Sequence, residues 1–313
     1  MRKLLILLSF CIFFSCSERD NYVSFRGYAQ GGEYTVKANL KGVRTPPGEI
    51  KQALDSLLEQ IDFTLSGYNK MSLLSRFNEG ESTETNDMFE EILSISEDIS
   101  ARTGGAFDVW AAPLFEIWGF GFKSGEFPTE EQTKRAMALS SEHKILNFNA
   151  IAQGYSCDVV ASYLDSIGVE DMLVDIGEIY CKGLNPSGRG WSIGVDNPYD
   201  GNNTPGADIR AVWCSDGRAC GIVTSGNYRK YYIKDGKKFS HTIDPRSGRP
   251  VDHNLLSATI VAPTAAEADA YATACMVMGM DEAKGFIESR DDLEGFLIGA
   301  ESSWASPGFS FRD

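Results

Sequence analysis

Residues 224–250 read TSGNYRKYYIKDGKKFSHTIDPRSGRP, residues 256–263 read LSATIVAP, and residues 264–279 read TAAEADAYATACMVMG. Within one continuous segment a Ser-Gly turn leads to a lone histidine, an acidic turn, a β-rich run and a helix of small residues. The helix has a clear start, because Thr264 and Glu267 form a capping-box pattern after the Pro263 break. Asp269 and Thr273 are spaced i, i+4 and therefore share one face within the first turns, where the dipole and free backbone N–H groups favour an anion. A carboxylate beside a hydroxyl at such an end suits a Mg²⁺ ion bridging to a phosphate, since that cation takes few protein oxygens and shares the rest with substrate and water. The same spacing also fits an ordinary capped helix carrying a solvated Asp.

Moving outward, apolar residues at Ile50, Leu54, Leu57, Leu58 and Ile61 follow the helical period after Pro46 and Pro47. A second helix is expected from Asp87 to Arg102, stopped by Gly104, a third opens at Thr129 with Gln132, and a fourth runs from about Ile151 to Ile167 with Gly168 as its stop. Residues 17–30 read as a short leader, followed by a strand-like Tyr34-Thr35-Val36-Lys37. Residues 66–80, SGYNKMSLLSRFNEG, read as a loop. The segment GGAFDVWAAPLFEIWGFG, residues 104–121, combines glycines, aromatics and one Asp in a way that suits either a flat apolar ligand beside a tight turn or a packed aromatic corner. Beyond it the periodicity changes: 172–176, 191–195, 209–213, 221–224, 231–233 and 256–262 are short β-rich runs between turn signals. Helices concentrated in the N-terminal half and strands in the C-terminal half predict an α+β fold rather than alternating βαβ units.

The 313 residues suffice for a large core, and 42% hydrophobic with 23% charged residues is ordinary for a globular chain. A net charge of −15 and the lack of a dense Lys/Arg run argue against nucleic acid as partner. They leave room for an anionic ligand, because helix N-termini and metals hold phosphates on acidic proteins. Arg2 and Lys3 precede an apolar run from Leu4 to Phe14, which is too short for an ordinary spanning helix and has the form of a secretory signal. The run ends at Ser15-Cys16, as in a bacterial lipoprotein signal, where the Cys becomes a lipidated N-terminus. Residues 1–15 are thus expected to be removed and 16–313 to form one catalytic unit, exported and tethered to a membrane without spanning it. Loss of Arg2 and Lys3 from the 29 basic residues leaves 27 against 44 acidic ones, a net −17. Five cysteines follow Cys16, an odd number that makes a poor disulfide framework, and the sequence leaves open whether Cys214 and Cys220 pair across a turn at Asp216-Gly217. No CxxC, HExxH or His-rich tract points to zinc.

Several segments match one family in the same order: Gln30-Gly31-Gly32-Glu33-Tyr34, Ser66-Gly67-Tyr68 with Ser75-Arg76-Phe77-Asn78, Gly105-Ala106-Phe107-Asp108, Trp118-Gly119-Phe120-Gly121, Ala150-Ile151-Ala152-Gln153-Gly154-Tyr155, Thr224-Ser225-Gly226, Ser240-His241 with Ile243-Asp244-Pro245, and Ala268-Asp269 with Ala272-Thr273-Ala274. The chain resembles the ApbE family of FAD:protein FMN transferases over roughly Gly27 to Phe296. Any one segment is weak, and the ordered combination is specific.

The resemblance implies that Asp269 and Thr273 bind Mg²⁺, joined by the backbone carbonyl of Ala150. It also implies that Gln30, Tyr68, Ala106, Phe107, Asp108, Asn147, Gln153 and Ile243 contact FAD, with Ser225 and Gly226 close to flavin or phosphate. The implied reaction is attack by a Ser or Thr hydroxyl of a partner protein on the FMN phosphorus of FAD, with AMP leaving. Alignment and charge neutralisation dominate such a transfer. His241 is a candidate for taking the hydroxyl proton or orienting the pyrophosphate, because imidazole titrates near neutral pH. Outside the resemblance, a lone His between Ser and Thr on a strand also fits a structural role. The chain departs from the family pattern at Asn147, where Asp is common, at Gln153, where Lys is common, and in a shortened turn at Val174-Asp175-Ile176-Gly177-Glu178. The acceptor is expected in an extracytoplasmic redox system. Two other readings share the same residues: an FAD pyrophosphatase giving FMN and AMP, and a non-catalytic FAD-binding lipoprotein.

Overall fold

In a computed structural model, described for residues 21–120, 127–202, 204–228, 231–234 and 236–312, eight strands form one antiparallel sheet. In sheet order they are β1 (Tyr22–Ala29), β2 (Gly32–Asn39), β3 (Met172–Asp175), β4 (Ile179–Lys182), β7 (Cys220–Gly226), β12 (Leu255–Ala262), β13 (Glu294–Gly299) and β14 (Ser303–Ala305). Side chains alternate across this sheet as the period of two requires. Met172, Val174, Tyr180, Val223, Ala258, Ile260 and Leu297 face a core shared with the helices. Leu173, Cys181, Ile222, Val261, Phe296 and Ile298 face a second core, closed by Trp191 and by the hairpin of β5 (Ser192–Asp196) and β6 (Ile209–Cys214). The expected α+β class holds, and it is a layered one, with helices on one face of the sheet and a hairpin on the other.

The helices have local causes. In α1 (Pro47–Leu65), Ile50, Leu54, Leu58, Ile61 and Leu65 are buried on one stripe. The predicted bounds of α3 (Asp87–Arg102) are met, its start fixed by Asn86, whose Oδ1 accepts the Phe89 N–H at 2.9 Å. The Thr129–Gln132 box opens α5 (Glu130–Ser140) with both reciprocal bonds present. Next comes α6 (Ala152–Ser166), in place of the helix expected from Ile151. Then α7 (Ala265–Met278) is capped by Thr264, whose Oγ1 accepts the Glu267 N–H at 3.1 Å. Its apolar residues run all round, so it is a central helix, packed against β7 and β12 on one side and α6 on the other.

Three sequence expectations are corrected. The leader expected over residues 17–30 is, from Tyr22 onward, the edge strand β1, paired with β2 through a turn at Gln30 and Gly31 with φ of 52° and 82°. The expected loop at 66–80 contains α2 (Leu73–Asn78), capped by Ser72, whose Oγ accepts the Ser75 N–H at 2.9 Å. Asn78 then clasps Leu146, donating to its carbonyl and accepting from its N–H at 2.8 Å each. That clasp gives the Asn of the Ser-Arg-Phe-Asn run a structural role. Strands also occur at the N-terminal end, in β1 and β2, and helices near the C-terminal end, in α7 and α8 (Met280–Glu288), so the expected segregation of helices and strands is only approximate. The expected signal peptide, Cys16 and Gly121 lie outside the described residues.

Among the described residues no helix is long and apolar enough to cross a membrane. Cys214 and Cys220 do not pair: both are free, Cys214 lying beside the Ser192 hydroxyl on β6.

Candidate functional site

Small residues bring the site together at the N-terminal half of α7. A Cβ on Gly154 would lie 2.2 Å from the Ala265 carbonyl oxygen, and one on Gly221 would lie 2.3 Å from the Ala265 Cα. Only glycines at these two positions let α7 sit between α6 and β7. In that contact the Gly154 N–H donates to Asp269 Oδ2 at 3.1 Å. One turn later Thr273 Oγ1 lies 3.4 Å from Ser225 Oγ at the end of β7.

Asp269 is buried, at 5% exposed, which overturns the alternative of a solvated helical Asp. Burial, with the nearby charge of Asp158 added, raises its carboxyl to about 7 against the opposing Gly154 bond. The expectation that the helix N-terminus awaits an anion is met from within the chain. Asp158 of α6 reaches across and accepts the N–H groups of Ala265 and Ala266, both at 2.8 Å. Desolvation pushes Asp158 to about 7 as well, despite those two bonds. Asp158 is absent from the sequence-derived site, although its position four residues after Gly154 places both on one face of α6.

Among the described residues no cation is seen to act on Asp269: the groups that do are the Gly154 N–H and the Asp158 charge. A buried anion in this state fits a metal ligand. The donor set would be Asp269, the Thr273 hydroxyl and a backbone carbonyl in the turn at Ala150, which is half-buried and four residues before Gly154. That is a hard-oxygen site of the kind Mg²⁺ takes. Among the described residues no group of three or more His, Cys, Asp or Glu could hold a metal, so a carboxylate-rich or thiolate site is a different thing from what is present.

On other faces of α6, Gln153 Nε2 donates to the Ile176 carbonyl at 3.2 Å, and the Gln30 side chain donates to Ser156 Oγ. The shortened turn fits closely beneath Gln153: Gly177 has φ of 92°, its N–H is held by Asp175 Oδ1 at 3.2 Å, and a Cβ there would meet Gln153 Nε2 at 2.6 Å. Gln153, which stands where Lys is common, is held here as a neutral amide on the Ile176 carbonyl. Asn147 lies beside Asp108 because its N–H donates to the Val109 carbonyl at 2.9 Å. Asp108 caps a short 3-10 turn through the Trp110 N–H at 2.9 Å; burial raises its carboxyl, opposed by that bond and by the charge of His143, whose ring stacks on Trp110.

A third group forms an aromatic wall. It uses α4 (Ala112–Ile117) and two hairpins, β8 (Tyr231–Lys234) with β9 (Lys237–Ser240) and β10 (Ile243–Asp244) with β11 (Arg249–Pro250). The Phe120 ring stacks on Tyr232 at 4.6 Å and meets His241 edge-on at 6.3 Å, while Tyr232 OH donates to the Gly119 carbonyl. Trp118 Nε1 donates to the Gly248 carbonyl at 2.8 Å, and Ile243 is buried with Leu114 and Ala136. Arg246 joins this wall to the Gly105 turn, since a Cβ on Gly105 would lie 3.8 Å from its Cγ.

The resemblance-derived residues therefore divide in two. Gln30, Asp108, Asn147, Ala150, Gln153, Ser225, Gly226, His241 and Thr273 are half-buried, as groups lining an open site are, and Tyr68 is 71% exposed on the turn between α1 and α2. Ala106, Phe107 and Ile243 are instead sealed at 1–2% exposure, Ala106 and Phe107 in the main core and Ile243 beneath the aromatic wall.

The arrangement offers one buried carboxylate beside two hydroxyls, amide donors and an aromatic wall, which suits a flat ligand carrying phosphates. The family model described as the ApbE family matches residues 31–297. The chain belongs to the ApbE family. It is 33% identical over 303 residues to the FAD:protein FMN transferase of Escherichia coli K12, with 87% of this chain and 84% of that protein covered. It is 32% identical over 312 residues to the FAD:protein FMN transferase of Vibrio cholerae, covering 92% and 91%. Among solved structures, the flavin transferase ApbE from Vibrio cholerae superposes with a TM-score of 0.79 at 29% identity, covering 92% of this chain and 98% of that one. The apo flavinyl transferase ApbE of Pseudomonas stutzeri does so with a TM-score of 0.80 at 30% identity, covering 91% and 95%. The eight-stranded sheet and the two helices that meet at Gly154 are thus the scaffold of an ApbE protein.

Proposed function

We propose that this ApbE-family chain is a Mg²⁺-dependent FAD:protein FMN transferase that attaches FMN, through a phosphoester bond, to a Ser or Thr of an extracytoplasmic acceptor protein and releases AMP. The observation that carries the reading is the convergence of Asp269, Thr273 and Ser225 where α7 meets the end of β7, in a chain of this family. Asp269, Thr273 and the Ala150 carbonyl would hold Mg²⁺, which when bound supplies neutralisation of charge on the phosphates.

The chain's own groups do the rest. The Trp118, Phe120 and Tyr232 wall gives a flat ring system an apolar surface, and Asp108 and Asn147 offer hydrogen-bonding partners at its edge. The Ser225-Gly226 end of β7 lets backbone approach a phosphate closely. His241, which meets the Phe120 ring edge-on, would hold the acceptor's hydroxyl proton as the new phosphoester forms. Tyr68, which is exposed, would meet the ligand or the acceptor. Export and a lipid anchor at Cys16 complete the reading, supported by Arg2, Lys3 and the apolar run that follows.

The test is intact-mass spectrometry of a Thr-bearing acceptor domain incubated with the chain, FAD and Mg²⁺, alongside a sample with chelator. A gain of one FMN less water, lost with chelator, is the expected result. Free FMN and AMP without a gain would make the chain a pyrophosphatase, and FAD held intact across two acceptors would make it a carrier.

A further inference from the structure

Cys181 on β4 and Cys220 on β7 are direct register partners across the middle of the sheet, and both are buried, at 0% and 1% exposed. Their sulfurs lie 3.9 Å apart on the face that packs against the β5–β6 hairpin, opposite α7. The flavin site has no use for them. Partners across an antiparallel pair have Cα atoms about 4.5–5.5 Å apart, inside the span of a disulfide. Side-chain rotation alone can therefore close the sulfurs to a bond of about 2.05 Å. The other three cysteines among the described residues are placed elsewhere: Cys157 donates to the Glu178 carbonyl, Cys275 is enclosed in α7, and Cys214 lies beside Ser192.

We propose that Cys181 and Cys220 form a cross-strand disulfide when the chain folds in the presence of a disulfide oxidant. The Cys220 thiolate attacks one sulfur of an oxidant RSSR and expels RS⁻. The Cys181 thiolate then attacks the Cys220 sulfur and expels the second RS⁻. Two electrons pass to the oxidant, the two thiol protons end on two RSH, and one S–S bond replaces another. The roles of the two cysteines are interchangeable in these steps, since either order of attack ends in the same bond. Because the hairpin covers both sulfurs, the reaction belongs to folding, before β5 and β6 close over the sheet. The bond would tie off the whole β5–β6 layer as one closed loop and pin β7 to β4, five residues before Ser225. This holds whatever the chain transfers.

The test is to refold the purified chain from denaturant in a glutathione redox buffer, quench with acid, alkylate under denaturing conditions and map tryptic peptides by mass. Arg218 separates Cys214 from Cys220 on cleavage, and fragmentation separates Cys157 from Cys181. The expected result is Cys181 and Cys220 in one cross-linked pair, two hydrogens lighter than its components, with Cys157, Cys214 and Cys275 alkylated. The oxidised chain should melt higher than a reduced sample by on the order of 5 °C. Cys214→Ser should keep the cross-link and Cys181→Ser should remove it. If Cys181→Ser fails to fold, the map of the unsubstituted chain still decides. All five cysteines alkylated, or Cys220 recovered with Cys214, overturns the proposal.

Discussion

Gly154 N–H donates to Asp269 Oδ2 at 3.1 Å, and the bond exists because Gly154 has no side chain to hold α7 away. A Cβ at 154 would lie 2.2 Å from a backbone carbonyl, which cannot swing aside as a flexible side chain would. Gly154→Ala should therefore shift α7 and lower stability by about 1–3 kcal/mol, as overpacking does. Since the shifted helix carries both Asp269 and Thr273, the Mg²⁺ concentration for half-maximal turnover should rise as well. Denaturant unfolding and a Mg²⁺ titration check this, and a variant with unchanged stability would mean that the two helices have slack between them.

Asp269 and Thr273 should separate in their effects. Asp269→Asn keeps an acceptor for the Gly154 N–H and relieves the buried charge, so it should fold at least as stably as the parent, yet lose about 100-fold or more of Mg²⁺-dependent transfer. Thr273→Val preserves shape and loses one oxygen, and a smaller loss, about 10-fold, is expected. AMP release measured with and without chelator gives both numbers. Full activity in Asp269→Asn would remove it from the metal site.

Asp158 closes the N-terminus of α7 from a neighbouring helix, a cap that no reading along one helix reveals. Asp158→Ala leaves the N–H groups of Ala265 and Ala266 without their acceptor and should cost about 1–2 kcal/mol, with the loss seen as a lower denaturant midpoint at unchanged slope. Asp158→Asn keeps one acceptor and sheds the charge that acts on Asp269. Its stability should lie above that of the Ala variant at neutral pH.

The contrast between legible and hidden features follows from where each is encoded. The bounds of α3, the Thr129 box and the Thr264 cap are written within a few residues of the helix they start, so spacing reveals them. The i, i+4 pair of Asp269 and Thr273 is local in the same way. By contrast, β1 is only an edge strand because β2 folds back on it, and the end of α2 is anchored by Asn78 on Leu146, 68 residues away. Ala106, Phe107 and Ile243 match a family pattern letter by letter, yet their burial depends on which elements cover them. The family resemblance supplied the ligand roles. Periodicity supplied most of the helices and strands, while their layering about one sheet came from pairings distant in sequence.

Cys16 tests the proposed anchor independently of the chemistry. In a host that exports the chain, Cys16→Ser should move it from the membrane fraction to the soluble one while FMN transfer in extracts stays unchanged, because acyl chains tether without contributing to the fold. A Cys16→Ser chain that remains in the membrane fraction would locate the anchor elsewhere.

Buried Asp269 and half-buried Asp158 set a pH dependence whose sign can be worked out. Burial first of all, and then their mutual charge in the case of Asp269, raise both Asp158 and Asp269 from 3.8 to about 7. Between these values the folded chain holds protons that the unfolded chain has released, so this contribution to stability is complete below about pH 4 and is lost as pH rises through about 7. A metal ion on Asp269 requires the ionised carboxylate, and its binding therefore competes with the proton and strengthens as the pH rises. In chelator, Tm should fall from about pH 5 to about pH 8. The rise in Tm on adding Mg²⁺ should be small at the acid end and larger at the alkaline end, and Asp269→Asn should abolish it at both. Scanning calorimetry at the two pH values, with and without Mg²⁺, measures all of these shifts. A Mg²⁺ increment equal at both ends would separate the metal from Asp269, because only binding to a group that titrates in this interval makes the increment depend on pH.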